Sequence, residues 1–214
     1  MRPSVSWVGG DPTRRSFLVG GAALVGCAIA PAAAGEAPAA PVVPRPIPGV
    51  RPRADWGARP PRAGGRSHVP ERFALHHTAG ALVGSDRAPV TLRGIQAFHQ
   101  RDKGWVDLAY HVFVDADGVA WEGRDPGIAG DTATMYDPAG WWLVCALGNF
   151  EEVAPTEAQI EGIARVLASI HLARGVPIAS LAPHNALAAT ACPGRNLAVQ
   201  LAGLVSRARA LAQP

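Results

Sequence analysis

The sequence predicts an α/β domain with one central mixed β-sheet flanked by helices. Short apolar runs of strand length alternate with segments whose apolar residues recur at helical spacing, over about 160 residues and with no internal repeat. A chain of 214 residues that is 48% hydrophobic and 17% charged has enough apolar material for one core, and no more than one is needed. An Asp-Gly turn signal between two short apolar runs places at least one hairpin in the sheet.

The elements are expected in this order. Glu71 to His76 ends as a short apolar strand. Thr91 can cap a short helix reaching about Gln100, with Leu92, Ile95 and Phe98 or His99 on one face. Tyr110 to Val114 and Val119 to Glu122 form the hairpin around Asp115-Ala116-Asp117-Gly118. Leu143 to Leu147, preceded by two tryptophans, reads as a buried strand. Thr156 with Gln159 makes a capping box for a helix whose Ile160, Ile163, Ala164, Leu167 and Ile170 form a stripe, stopped by Gly175 and Pro177. Val176 to Leu181 reads as a strand, and a terminal helix starts near Asn196, with Leu197, Leu201, Leu204, Val205, Ala208 and Leu211 facing the core. Helices are expected on both faces of the sheet, and the loops at strand ends are the natural place for chemistry.

Ahead of this domain lie two other segments. Thr13-Arg14-Arg15-Ser16-Phe17-Leu18, an apolar Gly/Ala run to Ala30 and Ala32-Ala33-Ala34 read as a twin-arginine export signal over residues 1–34. The apolar run is shorter than the roughly 20 residues of a membrane span, and glycines break it. Leu24-Val25-Gly26-Cys27 resembles a bacterial lipoprotein box that would leave a lipid anchor on Cys27; the apolar residues after it weigh against this. Residues 35–52, dominated by Pro and Ala, read as a semi-rigid linker, which puts the folded domain at 53–214. The expected location is periplasmic or extracellular, with no transmembrane segment in the mature chain. A formal net charge of only +3 and the lack of any long Lys/Arg run argue against nucleic-acid binding.

The domain holds two cysteines, and one disulfide between them is arithmetically possible. Cys145, however, sits in an apolar strand-like run where a free thiol is at home, whereas Cys192 lies in a loop eight residues after His184 and just before a Pro-Gly turn. His76 and His77 end the first strand, and because neighbouring strand residues point to opposite faces, at most one of them can aim at a given site. Two imidazoles and one thiolate suit Zn²⁺, and three protein ligands leave a fourth position open, as in catalytic sites.

Four stretches carry a resemblance: Arg53 to Ala58 (RADWGA), Leu75 to Gly80 (LHHTAG), Gly104 to Phe113 (GWVDLAYHVF), and His184 through Cys192-Pro193-Gly194. In this order, and with Asp117-Gly118 and Trp121 to Arg124 (WEGR), they resemble the peptidoglycan recognition protein and type 2 N-acetylmuramoyl-L-alanine amidase family. The resemblance implies zinc on His76, His184 and Cys192, catalytic roles for Tyr110 and Thr190, and substrate contacts for His77, Trp105 and Arg124. It implies hydrolysis of the amide between the lactyl group of N-acetylmuramic acid and L-alanine in peptidoglycan or a muropeptide. Some relatives have lysine at the position of Thr190, and the segment from Gly127 to Phe150 departs from the family's usual histidine and asparagine while keeping Gly148-Asn149-Phe150. Trp141 or Trp142 is a candidate to face the substrate instead.

The chemistry is consistent with that assignment. An unactivated amide needs a strong nucleophile at neutral pH, which zinc provides by lowering the pKa of bound water to about 7. Tyr110, with an ordinary pKa of about 10, starts protonated and can donate a hydrogen bond to the developing oxyanion. The rival reading is a non-catalytic peptidoglycan-binding module, from which loss of the thiolate ligand is expected; a zinc protease is disfavoured because no H-E-x-x-H helix is present.

Overall fold

Why the chain forms one sheet is seen in its burial pattern. The structure, a computed structural model, describes residues 46–213. The export signal, Cys27 and most of the expected linker lie outside the described residues. Six strands, β1 (Val50–Arg51), β2 (Arg72–His77), β3 (Val112–Val114), β4 (Ala120–Glu122), β5 (Trp141–Ala146) and β6 (Ala182–Pro183), are ordered β1-β4-β3-β5-β2-β6. Only the β3–β4 hairpin is antiparallel; β1–β4, β3–β5, β5–β2 and β2–β6 run parallel, so the sheet is mixed. β5 is buried along its whole length, which is why it reads as a continuous apolar run rather than an alternating one.

Helices cover both faces. α2 (Glu157–Arg174) and α4 (Leu201–Leu211) pack with Phe73, Leu75, Val112, Val114, Val144 and Ala146 in the larger core, to which Leu197 of the short α3 (Arg195–Ala198) adds. On the other face α1 (Ala88–Arg101) sets Ala88 and Leu92 against Phe113, Trp121, Cys145 and Leu147. The capping box at α2 forms in half: Thr156 Oγ1 accepts from Gln159 N–H at 2.9 Å, while the Gln159 side chain turns inward to donate to the carbonyls of Val114 and Leu147. The helix thereby anchors to the ends of β3 and β5.

Three expectations need correction. α1 begins at Ala88, ahead of Thr91, because a proline in its first turn needs no intrahelical partner and brings a helical φ with it. Val176 to Leu181 is not a strand: Ile178–Ser180 forms a 3-10 turn, and the strand is the two-residue β6 that follows it. The apolar run had the composition of a strand, but Ile178 and Leu181 are buried as parts of a turn. The end of the expected linker belongs to the fold, since Ile47 is buried in the larger core and Val50–Arg51 pairs with β4.

α2 approaches the hairpin turn closely. A Cβ at Gly162 would lie 2.4 Å from the Gly118 carbonyl oxygen and 2.7 Å from its Cα, and Gly118 itself has φ +78°. Alanine in a helix interior gains about 1 kcal/mol over glycine, but forced overpacking costs about 1–3 kcal/mol. Gly162→Ala is therefore expected to destabilise the protein in urea unfolding, against the propensity scale; a stabilised variant would contradict the packing described.

Candidate metal centre

Strand register brings the first two side chains together. His76 lies on β2 in register with Cys145 of β5, and on the other side β6 pairs Ala74 with Ala182 and Leu75 with Pro183. β6 thus delivers His184, the first residue of a 3-10 turn, to the side of His76, with ring centroids 4.5 Å apart. Cys192 enters from the loop before α3, its Sγ 3.6 Å from His76 Nδ1. One ligand atom from each of His76, His184 and Cys192 lies within 4.8 Å of the others. Cys145 and Cys192 are both free thiols.

The flanking motifs hold this arrangement. His77 points away from His76: its Nδ1 accepts from Phe150 N–H at 3.2 Å, while its own N–H is directed at Cys192 Sγ at 3.4 Å. Thr78 Oγ1 accepts from Gly148 N–H at 3.0 Å, so the HHT and GNF stretches are bonded to each other. Gly194, at φ +89°, lies so close to the Phe150–Glu151 backbone that a Cβ would come within 2.4 Å of it. That close approach explains the glycine after Cys192-Pro193. Thr190 Oγ1 accepts from Cys192 N–H at 3.2 Å and so fixes the loop at the thiol.

The three donors carry no net charge at neutral pH. Burial holds His76 well below the ordinary imidazole value, and His184 adds to the effect; burial also lowers His184 itself. Burial pushes the Cys192 thiol up to about 12, opposed by the His77 N–H. His184 Nδ1 is buried and has no hydrogen-bond partner. Leaving such an atom unsatisfied costs about 1–3 kcal/mol. A cation among these atoms would accept its lone pair, and two imidazoles with one sulfur match the preferences of Zn²⁺.

Of the other expected site residues, Tyr110 is at the centre and Trp105 and Arg124 are not among the donors. The Tyr110 ring lies 5.0 Å from that of His76, and burial raises its phenol well above 10. The Trp105 ring lies 4.7 Å from that of His99, tilted against it, one ring removed from Tyr110. Arg124 is buried, donating to the carbonyls of Asp107, Leu108 and Ala129 and pairing with Asp131, and so holds loops together. Trp141 and Trp142 are both buried, Trp141 beneath Arg72 and Trp142 in the larger core.

Two neighbours of the histidines escaped the sequence reading. Tyr136 OH is 3.2 Å from His76 Nε2, with its ring 4.9 Å from that of His184, and Thr134 Oγ1 is 2.8 Å from His184 Nε2. Both lie in the segment that departs from the family pattern, in a loop with no periodicity. A lone tyrosine between Met135 and Asp137 was the available signal.

The chain has the fold of the peptidoglycan recognition proteins. It superposes on Drosophila peptidoglycan recognition protein SD with a TM-score of 0.64 at 27% identity, covering 70% of this chain and 90% of that one. It superposes on human PGRP-IBETAC, solved in complex with glycosamyl muramyl pentapeptide, with a TM-score of 0.61 at 27% identity, covering 72% and 95%. Residues 66–195 match the N-acetylmuramoyl-L-alanine amidase family, and the chain belongs to that family. It is 32% identical to human N-acetylmuramoyl-L-alanine amidase over 154 residues, 69% of this chain but only 27% of that protein's length. It is also 32% identical to peptidoglycan-recognition protein SC2 of Drosophila simulans, over 68% of this chain and 80% of the relative.

Tyr110 is framed by two histidines that hold the backbone. His99 Nδ1 accepts from Ala109 N–H, and His111 Nδ1 accepts from Leu143 N–H while its Nε2–H donates to the Ile128 carbonyl. Burial lowers His99 to about 4 and His111 to about 3. Both are neutral in folded and unfolded chains above about pH 6.5. Below that value the unfolded chain takes up protons that the folded chain does not, so stability falls as pH falls, down to about pH 4 for His99 and about pH 3 for His111. The metal-free protein should therefore show a lower urea midpoint at pH 4.5 than at pH 7, and His99→Asn should flatten that difference. A midpoint independent of pH across this range would refute the assignment.

Proposed function

We propose that the protein is a zinc-dependent N-acetylmuramoyl-L-alanine amidase, hydrolysing the bond between the lactyl group of N-acetylmuramic acid and L-alanine in peptidoglycan. The observation that carries this reading is the convergence of His76, His184 and Cys192 donor atoms within 4.8 Å, with His184 Nδ1 buried and unpartnered. Membership of the amidase family and the muramyl pentapeptide in the human relative's structure support the substrate class. Relatives are named both as amidases and as recognition proteins; the complete ligand set favours cleavage over binding alone.

His76, His184 and Cys192 would hold the zinc, which supplies Lewis acidity and activates water as a nucleophile at neutral pH. Tyr110, its ionisation suppressed by burial, keeps its proton and donates a hydrogen bond to the carbonyl oxygen as negative charge develops. Thr190 accepts from the Cys192 backbone and keeps its hydroxyl proton for a contact with substrate or water. The surroundings, with Ala74, Trp141 and Leu143 buried beneath Tyr110, Tyr136 and Leu187, exclude water from the floor of the site and strengthen these interactions.

Among the described residues no helix is long and apolar enough to cross a membrane. The reading includes export through the Arg14-Arg15 signal, with a lipid on Cys27 as the less favoured ending; Arg14 and Arg15 changed together to Lys should leave the precursor inside the cell.

Metal analysis and turnover of purified muropeptides test the assignment. Cys192→Ala should lose both zinc and activity, and equal zinc content and turnover in the two proteins would end the proposal. Tyr110→Phe should keep its zinc and lose about 10²–10³ in turnover, the usual cost of removing one oxyanion donor. Because the imidazoles are neutral and the thiol protonated, zinc uptake near pH 7 should release about one proton per site. Calorimetry in buffers of different ionisation enthalpy measures that number.

A further inference from the structure

The loop between β4 and β5 reaches both histidines. Tyr136 OH lies at His76 Nε2 and Thr134 Oγ1 at His184 Nε2, so two residues of one short segment each contact the Nε2 of a different histidine. The opposite nitrogens are placed differently. His76 Nδ1 is the one facing Cys192 Sγ, and His184 Nδ1 has no partner. A cation held by each Nδ1 lone pair would leave the proton of each neutral imidazole on Nε2, donated outward to a loop hydroxyl.

The loop is built to stay in place. Thr134 Oγ1 is 2.8 Å from Thr132 Oγ1, and Thr134 N–H donates to that same oxygen at 3.1 Å, so the hydroxyl that meets His184 is oriented in turn. With the His184 proton on Nε2, donation to Thr134 and from the Thr134 hydroxyl to Thr132 would make a chain of bonds with one consistent direction. One residue before Thr132, Asp131 pairs with the buried Arg124; one residue after Tyr136, Asp137 pairs with Arg66 and caps Ala139 N–H at 2.9 Å. The Asp137 pair is exposed and contributes little. The Arg124 pair carries the anchoring, because its guanidinium is also fixed by three backbone carbonyls.

We infer that Thr134 and Tyr136 are positioning residues which fix the tautomer and orientation of His184 and His76, so that the 131–137 loop sets the affinity of the centre for its metal. This rests on the zinc reading above. Bonds of this kind from outside the ligand set typically carry a factor of about 10–100 in metal affinity. The role also gives Arg124 a part, in the support of the loop.

The test is zinc affinity of the full chain, measured by competition with a chromophoric chelator, alongside thermal unfolding of each protein freed of metal. Thr134→Val keeps the shape and removes the hydroxyl; Tyr136→Phe does the same for the phenol. Each should weaken zinc binding about 10–100-fold with the metal-free unfolding midpoint unchanged, and Thr134→Ser should restore the wild-type affinity. Wild-type affinity in both the Val and the Phe variants would overturn the inference. So would a loss of affinity matched by a lowered metal-free midpoint, which is the sign of a role in folding alone. If the wild-type protein itself takes up no zinc, the metal reading fails with it; if it binds tightly and the variants bind as tightly, only the role of the loop fails.

Discussion

The centre depends on the burial of three donor atoms that carry no charge. Neutral imidazoles are kept neutral by desolvation, and the thiol keeps its proton for the same reason. A buried nitrogen without a partner is costly in a folded protein, and His184 Nδ1 is in that condition. The same desolvation keeps Tyr110 protonated beside them.

Placing those atoms is a matter of sheet register. β2 is held between β5 and β6, and a one-residue slip would exchange His76 with His77. The two histidines have opposite tasks: His76 faces the thiol, while His77 accepts from Phe150 N–H and so joins the end of β2 to the segment after β5. Gly194 brings the cysteine loop against that same Phe150 backbone. The motifs far apart in the chain are thus parts of one knot of backbone contacts.

Much of this was legible in the residues. The α/β class, the hairpin at Asp117-Gly118, the α2 helix with its Thr156 cap, and the grouping of His76, His184 and Cys192 all follow from local signals or a motif read in order. Arg124 stands in a matched stretch, but its burial among carbonyls is not legible there. A guanidinium has the same letter in the sequence whether it faces solvent or closes a loop. The strand expected at 176–181 failed for a related reason: burial of Ile178 and Leu181 produces the same apolar run whether the backbone is extended or turned.

The sequence by itself determined which residue types were available, where helices and turns begin, and that two histidines and a cysteine of zinc-binding character stand in family order. Local rules suffice for these because capping, periodicity and turn conformation act within a few residues. The tertiary structure alone decided that Thr134 and Tyr136 meet the Nε2 atoms of the histidines and that Arg124 braces a loop. Those contacts join residues as much as 60 positions apart through a segment without periodicity. Hydrogen-bond partners of that kind are chosen by packing in three dimensions, and no spacing along the chain encodes them.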